Sequence, residues 1–390
     1  MLAQRTSLFG SSGTAAARAA AKSAADAGKE VIDLTAGEIW SDLAPTIRDA
    51  AIDAIERGIN RYTDTIGMTE LREAIARKVA LETGQIWKSE EIAVTTGAKQ
   101  ALFNAAMVLL NPGDEIIIPA PYWTTFPAQV LIAGGNPVFV DTRKTAFVPS
   151  LAAIKAATTD RTRAIIINTP NNPTGAVYDV KTLIELADLA ISRNLWIIFD
   201  ECYSDFTHGT HRHHPIVSLV PEVRSRTIIV NAFSKSLALT GWRIGYLAGP
   251  KDVVSAVKAL QSHTTSNANV IAQHAILGHL RNGDGSYEGK LRSQLASARQ
   301  HGLQILSLLQ RVPPPAADGG FYFYLDLSAL LTSGANADDI VNTLLIHAGV
   351  AGVSGTAFGD PMGLRLSYGI PPDRLKAGLS GVVEILNAWE

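Results

Sequence analysis

Side chains able to do acid–base or nucleophilic chemistry follow short apolar runs of this sequence. An amide, a carboxylate, a phenol, an amine and a guanidinium occur in this order at Asn172, Asp200, Tyr203, Lys235 and Arg243. An amine that is partly removed from water has a lowered pKa and can act as a nucleophile or a general base. A carboxylate that ends an apolar run is costly to bury without a partner. Taken singly, a solvated lysine and a helix-capping aspartate would explain Lys235 and Asp200 equally well.

The elements that must position these groups are apolar runs separated by longer helical stretches. The runs cover residues 92–94, 115–118, 137–140, 164–167, 195–199, 227–230 and 244–248. Such a pattern predicts an α/β fold with a mainly parallel seven-stranded sheet flanked by helices and buried on both faces. Open parallel sheets bind their ligands at the carboxyl ends of the strands. We therefore expect the polar side chains that follow the runs to converge at one edge of the sheet.

Two other strand ends offer weaker candidates. Gly97, Ala98 and Lys99 open a predicted helix, where free N–H groups and the helix dipole favour an anion. Taken alone, these residues are better explained as a helix cap without a ligand. Trp123 could stack on a flat ring or could be a core aromatic residue. The turn 168–175 contains two prolines and a glycine, so it can hold the Asn172 amide rigidly.

Composition excludes several classes of function. Lys+Arg 34 against Asp+Glu 36 gives a net charge of -2, which argues against a nucleic-acid partner. The single cysteine, Cys202, allows no disulfide framework within the chain and no thiolate metal cluster. No signal peptide or membrane-spanning stretch is evident, so we expect a cytoplasmic protein without a membrane partner. The histidines of the segment 207–215 indicate a solvated loop, and we expect no metal site.

The chain is long enough for two domains. We expect residues 46–290 to form a large domain that holds the site. Residues 1–45, with an N-terminal arm, and residues 291–390 would form a smaller α+β domain. Helical spacing of apolar residues predicts helices at 46–58, 69–82 and 291–310.

The combination of motifs is more specific than any single one. The most specific are Asn171-Asn172-Pro173-Thr174-Gly175, Asp200-x-x-Tyr203, and Ser234-Lys235 with Thr240-Gly241-Trp242-Arg243-Ile244-Gly245-Tyr246. Over nearly its whole length the chain resembles the fold type I enzymes that depend on pyridoxal 5'-phosphate (PLP), and among these the class I/II aminotransferases. Lys99 and the segment Ser12-Gly13-Thr14 resemble the bacterial aspartate aminotransferase subgroup.

The resemblance implies a role for each candidate residue around the cofactor. Lys235 would form a Schiff base with PLP and later carry a proton, and Asp200 would pair with the pyridine nitrogen. Tyr203 and Asn172 would bond the ring hydroxyl oxygen, and Trp123 would stack on the ring. The phosphate would lie among Gly97, Ala98, Lys99, Ser234 and Arg243. Ala232 stands where many relatives have a serine that binds the phosphate.

The resemblance also implies substrate and dimer contacts. Arg365 would grip the α-carboxylate, although a surface salt bridge is the alternative, and Gly37, Asn172, Trp123 and Lys99 would also contact the substrate. Tyr62 would reach across the interface of a homodimer, and Ser266 and Asn267 of the partner could approach the same site. In place of the family's Gly-Glu-Pro-Asp-Phe turn the chain has Gly37-Glu38-Ile39-Trp40-Ser41. We expect Ile39 and Trp40 to line the substrate side.

The implied reaction moves an amino group from an L-amino acid to a 2-oxoacid by a ping-pong mechanism. Glutamate and 2-oxoglutarate are the expected form of one pair, and an aspartate-like donor fits if Lys99 reads a distal carboxylate. Lys99 could instead only neutralise phosphate charge. A PLP-dependent carbon–sulfur β-lyase is the main alternative. A PLP-binding regulator would carry a DNA-binding domain, which we do not expect, and a nucleotide-binding protein would need a Gly-x-Gly-x-x-Gly turn after a strand.

Overall fold

The computed structural model describes residues 2–8, 10, 12–331 and 336–389. Its helices, in chain order, are α1 Gly13–Asp26, α2 Pro45–Glu56, α3 Thr69–Thr83, α4 Ala98–Leu109, α5 Thr125–Ile132, α6 Leu151–Ala157, α7 Val180–Ser192, α8 Ile216–Leu219, α9 Phe233–Ser236, α10 Lys251–Ser262, α11 Val270–Asn282, α12 Ser286–Leu306, α13 Ala337–His347 and α14 Pro372–Asn387. The helices predicted at 46–58 and 69–82 correspond to α2 and α3. The third lies five residues earlier than predicted at its start, as α12.

The strands are β1 Ile32–Asp33, β2 Ile92–Thr95, β3 Glu115–Ala120, β4 Asn136–Asp141, β5 Thr162–Asn168, β6 Trp196–Asp200, β7 Thr227–Ala232, β8 Gly245–Ala248, β9 Tyr322–Asp326, β10 Val350–Ala351, β11 Val353–Ser354 and β12 Gly363–Ser367. Seven of them form one sheet in the order β2-β8-β7-β6-β5-β3-β4. Only β8 runs antiparallel, against both β2 and β7. Each apolar run of the sequence is a strand of this sheet, so the predicted fold class is confirmed.

The side chains of each strand point alternately to the two faces of the sheet, which explains why helices cover both faces. In β5, Ile165 and Ile167 pack in one hydrophobic cluster, while Ala164 and Ile166 pack in another on the opposite face. Successive side chains of a strand point to opposite faces, so a strand that is apolar throughout must be buried on both. The edge strand β4 is the exception, since it is partly exposed.

A separate hydrophobic cluster surrounds the three-stranded sheet β11-β12-β9. It contains side chains of α12, α13 and α14 together with Leu34 and Ile39 from the N-terminal part. The strands β1 and β10 pair in parallel and join this N-terminal part to the C-terminal part. The division into 46–290 and 1–45 with 291–390 stays a prediction, which this arrangement of clusters supports.

Across the residues that the structure describes, no helix combines the length and the apolar character needed to cross a bilayer.

Candidate active site

A cavity of about 580 Å³ lies beyond the carboxyl ends of β5, β6 and β7. These strands are neighbours, and the last residues of β5 and β6 are in register, with Asn168 opposite Asp200. The cavity brings together most of the predicted site residues: Gly37, Ala98, Lys99, Trp123, Asn172, Asp200, Tyr203, Ser234, Lys235, Arg243 and Arg365. The prediction that the strand-end side chains converge therefore agrees with the structure.

Lys235 lies in the single turn α9, directly after the buried strand β7. Its Nζ donates a hydrogen bond to the carbonyl oxygen of Gly37. Burial lowers the pKa of Lys235 to about 8, and the charges of Arg365 and Arg243 act in the same direction. A substantial share of the amine is therefore neutral in mildly alkaline solution, as a nucleophile or a general base requires.

Asp200 is the last residue of β6 and is buried. Its Oδ1 accepts a hydrogen bond of 3.1 Å from the backbone N–H of Cys202. Burial raises the pKa of Asp200 to about 6, because hydrogen bonds from Cys202 and the charge of Lys235 offset the desolvation only in part. No arginine, lysine or histidine of the described residues forms an ion pair with this carboxylate. Asp200 is thus a buried acid suited to pair with a cationic group of a ligand.

Tyr203, Asn172 and Tyr322 form a hydrogen-bonded group beside Lys235. The Asn172 amide donates to the Tyr203 hydroxyl at 3.3 Å, and the hydroxyls of Tyr203 and Tyr322 lie 2.9 Å apart. Burial, together with the neighbouring Tyr322, raises the pKa of Tyr203 well above its ordinary value. Both phenols are therefore neutral at physiological pH and available as hydrogen-bond donors.

Arg365 lies in β12, and only 2% of its surface is exposed. Its two terminal nitrogens donate to Asn172 Oδ1 at 2.9 Å and to the Thr35 carbonyl oxygen at 2.7 Å. Its Nε has no hydrogen-bond partner, and the described residues place no carboxylate in an ion pair with it. A buried guanidinium without an anion is costly, so this geometry fits a site for a ligand carboxylate. A surface salt bridge, the alternative for Arg365, is wrong.

A second cationic corner forms where α4 begins. Gly97 has a φ of 74°, and a Cβ there would lie 2.6 Å from Arg243 Nη2. The absence of a side chain at Gly97 thus lets the Arg243 guanidinium approach the N-terminus of α4. Ser234 and Ala98 line the cavity beside it. Backbone N–H groups at a helix start, small residues and an arginine are what a phosphate group requires.

Lys99 and Trp123 line another side of the cavity. The Lys99 Nζ lies 5.2 Å from the centroid of the Trp123 ring. Burial, helped by the charge of Arg243, lowers the pKa of Lys99. Both residues are therefore positioned to contact a ligand, which leaves the two roles considered for Lys99 open.

Three residues expected from the resemblance lie away from the cavity of their own chain. Tyr62 is 89% exposed, and neither Ser266 nor Asn267 lines the cavity. The expectation for all three concerned the site of a partner subunit, so it stays a prediction.

The expected position of Ile39 and Trp40 is wrong for this chain's own cavity. Ile39 packs inside the hydrophobic cluster around the three-stranded sheet. The Trp40 side chain points outward with 61% exposure, while its backbone N–H bonds the carbonyl oxygen of Gly369. The pairing with Gly369 fixes the direction of the turn, so the bulky side chains face away from the cavity.

Sequence reasoning missed several cavity residues, namely Thr35, Glu38, Tyr322, Thr240 and Arg18. Tyr322 is the most consequential, because a Cβ at Gly37 would lie 2.7 Å from its hydroxyl. The sequence feature that could have indicated Tyr322 is the aromatic run 321–324. The structure brings this run close to Arg365, because β9 pairs with β12. Thr240 and Ala232 both line the cavity.

The four histidines of the segment 207–215 do not act together. His208 bonds the carbonyl oxygen of Gly320, His213 faces Glu201 at 3.0 Å, and His211 faces Asp318 at 3.3 Å. Within the described ranges, no group of three or more potential ligands could hold a metal ion.

The donor set fits PLP on several independent observations. A phosphate group would meet Arg243 and the start of α4, whose close approach Gly97 permits. A protonated ring nitrogen would supply the ion-pair partner that buried Asp200 does not find among the described residues. The amine of Lys235, with its lowered pKa, suits an aldehyde, and Tyr203 and Asn172 offer hydrogen bonds to a ring oxygen.

Comparison with known proteins agrees with this geometry. The sequence profile of class I and II aminotransferases matches residues 29–382. An aspartate aminotransferase of Geobacillus stearothermophilus is 38% identical over 99% of this chain and 99% of its own length. An aspartate/prephenate aminotransferase of Thermus thermophilus is 36% identical over 99% of this chain and 98% of its own length.

Solved structures show the same similarity. A Thermus thermophilus aspartate aminotransferase, determined with maleate, superposes with a TM-score of 0.93 at 35% identity, covering 99% of this chain and 100% of its own. The chain belongs to the class I and II aminotransferase family, whose members are PLP-dependent transferases with the type I fold. It is an aminotransferase that acts on amino acids and oxoacids, and the comparisons do not favour the β-lyase alternative.

Proposed function

We propose that this enzyme transfers the amino group of an acidic L-amino acid to 2-oxoglutarate, using PLP held at Lys235. The observation that carries the proposal is the buried Arg365, which forms no ion pair with a carboxylate of the described residues and lines the same cavity as Lys235. An α-carboxylate bound at Arg365 would present the α-carbon of the substrate to a half-buried amine with a lowered pKa. Amino transfer needs this combination of carboxylate anchor and proton carrier.

The cofactor would be held by side chains on all sides of the cavity. Arg243, Ser234, Gly97 and Ala98 would surround its phosphate, and Trp123 would stack on its ring. Asp200 would bond the ring nitrogen, and Tyr203 with Asn172 would bond the ring oxygen. PLP, when bound, draws electrons away from the bonds of the substrate's α-carbon.

The protein's own residues would then bind, orient and move a proton. Lys235 Nζ accepts the proton of the α-carbon, because the lowered pKa of this amine leaves part of it neutral. Arg365 holds the α-carboxylate through its planar guanidinium, which favours bidentate binding. Asn172 contacts Arg365 and Tyr203 alike, so it couples the substrate side to the cofactor side.

The acidic substrate class follows from the cations that remain. Lys99 lines the cavity, and so do Ser12 and Thr14 of the α1 region. A distal carboxylate of aspartate or glutamate would find an ammonium group and hydroxyls there. Relatives named aspartate aminotransferase support this assignment. We propose glutamate and 2-oxoglutarate as one substrate pair, exchanged by a ping-pong mechanism.

A homodimer is the proposed active unit. Tyr62 is 89% exposed, so its side chain is accessible to a second subunit. Tyr62 of one subunit would then contact the cofactor phosphate of the other. The cytoplasmic location stays a prediction.

An absorption spectrum tests the binding of the cofactor. Purified enzyme mixed with PLP should show visible absorbance that bleaches when aspartate is added without an oxoacid. Lys235→Ala should abolish this aspartate-dependent change. Lys181→Ala, which alters a lysine with 83% side-chain exposure on α7, should behave as the unchanged enzyme. A Lys235→Ala protein with the same spectrum and the same response to aspartate would overturn the proposal.

A further inference from the structure

An ion pair stands at the mouth of the cavity. Arg18, on α1, donates from Nη1 to Glu38 Oε1 at 2.8 Å, and both residues line the cavity that holds Lys235. Their side chains are 60% and 45% exposed. Ion pairs of this exposure contribute little to stability, so stability alone does not account for its place beside the site.

The charge of Glu38 reaches the reacting groups. It is among the charges that raise the pKa of Lys235, and it also raises the pKa of Tyr322. Glu38 follows Gly37, whose carbonyl oxygen accepts the hydrogen bond from Lys235 Nζ. A negative charge at this position acts on any anionic group that a substrate brings to the same end of the cavity.

The charges lining the cavity show what Arg18 changes. Its cations are Arg18, Lys99, Lys235, Arg243 and Arg365, and its carboxylates are Glu38 and Asp200. The proposed function assigns Arg243 to the phosphate, Arg365 to the α-carboxylate and Asp200 to the ring nitrogen. The charged groups that this assignment leaves for the substrate side chain are Lys99, Arg18 and Glu38, with a net charge of +1. Without Arg18 this net charge is zero, and the carboxylate of Glu38 is left unpaired.

We propose that Arg18 determines specificity by neutralising Glu38, which allows the cavity to accept substrates with a second acidic group. The inference rests on the proposed function, because it concerns the side chain of the transferred amino acid. Arg18 acts through Glu38 in this account, whereas Lys99 would contact the distal carboxylate directly. Like charges placed close together disfavour binding strongly, so an unpaired Glu38 would repel a dicarboxylate.

Binding of two unreactive acids tests this directly. Succinate carries two carboxylates and butyrate one, with the same number of carbon atoms, and calorimetry on the PLP-loaded enzyme gives both dissociation constants. Arg18→Gln should weaken the binding of succinate about tenfold more than the binding of butyrate, as expected for an exposed like charge in the site. Arg18→Gln with Glu38→Gln should restore the ratio to within about threefold of the unchanged enzyme, because the repelling charge is gone. Arg57→Gln, which alters an equally exposed arginine paired with Asp53, should leave the ratio unchanged.

Two outcomes would overturn the proposal. If Arg18→Gln weakens the binding of succinate and of butyrate equally, the role of Arg18 is structural. If the double variant binds succinate as weakly as Arg18→Gln does, Arg18 binds the distal carboxylate itself.

The ratio of single-turnover rates with aspartate and alanine should follow the same pattern. If the unchanged enzyme transfers an amino group from neither, the proposed function fails, whereas transfer with an unaltered ratio in Arg18→Gln refutes only the inference about Arg18.

Discussion

At the scale of single residues, the cavity holds three charged side chains, two buried and one half-buried, that form no ion pair among the described residues. These are Lys235, Asp200 and Arg365. Each would interact with one part of the proposed complex: Lys235 with the aldehyde, Asp200 with the ring nitrogen and Arg365 with the substrate carboxylate. Unpaired buried charges destabilise the free protein, so their presence together indicates a ligand that compensates for all three.

The pH dependence of stability tests the state of Asp200. Burial raises the pKa of Asp200 in the folded protein to about 6 from its ordinary value of 3.8, so ionisation between these values is unfavourable for folding. The cofactor-free protein should therefore lose stability from this group as pH rises from about 4 to about 7, by about 3 kcal/mol. Asp200→Asn removes this loss. Denaturation measured across that pH range should show that the stability of the variant rises relative to that of the unchanged enzyme as pH increases. A difference that does not vary with pH would contradict this account of Asp200.

Arg365→Lys tests the carboxylate anchor. The substitution keeps the charge but removes the planar fork and the contacts with Asn172 and Thr35. We expect kcat/KM to fall about 100-fold for acidic and neutral amino donors alike, equivalent to about 3 kcal/mol. Lys99→Gln is the matched comparison, and it should impair acidic donors selectively. A loss confined to acidic donors in Arg365→Lys would exclude it as the α-carboxylate anchor.

At the scale of elements, α12 packs its Gly302 against β9 and α14. A Cβ at Gly302 would lie 2.5 Å from Phe323 Cε2 and 3.1 Å from Leu379 Cδ1. Phe323 is in β9, which pairs with the strand that carries Arg365. The close approach of this helix therefore helps to fix the sheet that positions the substrate anchor.

Gly302→Ala should destabilise the protein by about 1–3 kcal/mol, because the added methyl group overpacks a buried contact. Gly289→Ala, in the same helix, is the control. A Cβ there meets only the flexible end of Arg292 at 3.8 Å, and alanine should stabilise the helix by up to about 1 kcal/mol. Chemical denaturation of both variants measures the contrast. Equal effects of the two substitutions would show that the packing of Gly302 on Phe323 is unimportant.

Much of the element pattern was predictable from the sequence, and the exceptions have physical reasons. The seven strands follow from apolar runs buried on both faces, and the strand ends gave Asp200 and Lys235. Tyr322 was not predicted as a site residue, because an aromatic run such as 321–324 is typical of a hydrophobic core and its pairing with β12 is not visible in the sequence. Trp40 was misplaced because its direction depends on a backbone hydrogen bond to Gly369, more than three hundred residues away in sequence. Local patterns do not encode such contacts.

At the scale of the whole molecule, the cavity is formed by distant parts of the chain. Arg18 and Gly37 come from the N-terminal part, Asp200 and Lys235 from the large sheet, and Arg365 from the three-stranded sheet. Any relative movement of the two sheets would therefore change the distance between the carboxylate anchor and the amine. Closure of this kind would exclude water during the reaction.

Subunit mixing tests the proposed dimer. If Tyr62 serves the site of its partner, a dimer of one Tyr62→Phe subunit and one Lys235→Ala subunit has one intact site and one doubly altered site. We expect Tyr62→Phe alone to lower kcat/KM about tenfold, as for loss of a hydrogen bond to a charged group. Lys235→Ala should be inactive. After unfolding and refolding together, the mixture should exceed the sum of the separately refolded variants. Activity equal to that sum would place Tyr62 outside the partner's site.

A single-turnover assay tests the central claim that this cavity transfers an amino group through Lys235. PLP-loaded enzyme is mixed with aspartate in the absence of any oxoacid, and the oxoacid product is quantified against the number of active sites. We predict a burst of about one product per site that then stops, because the amino group stays on the enzyme. Addition of 2-oxoglutarate should restart turnover and release glutamate. Continuous release of oxoacid and ammonia without an acceptor, or a burst that survives in Lys235→Ala, would contradict the account.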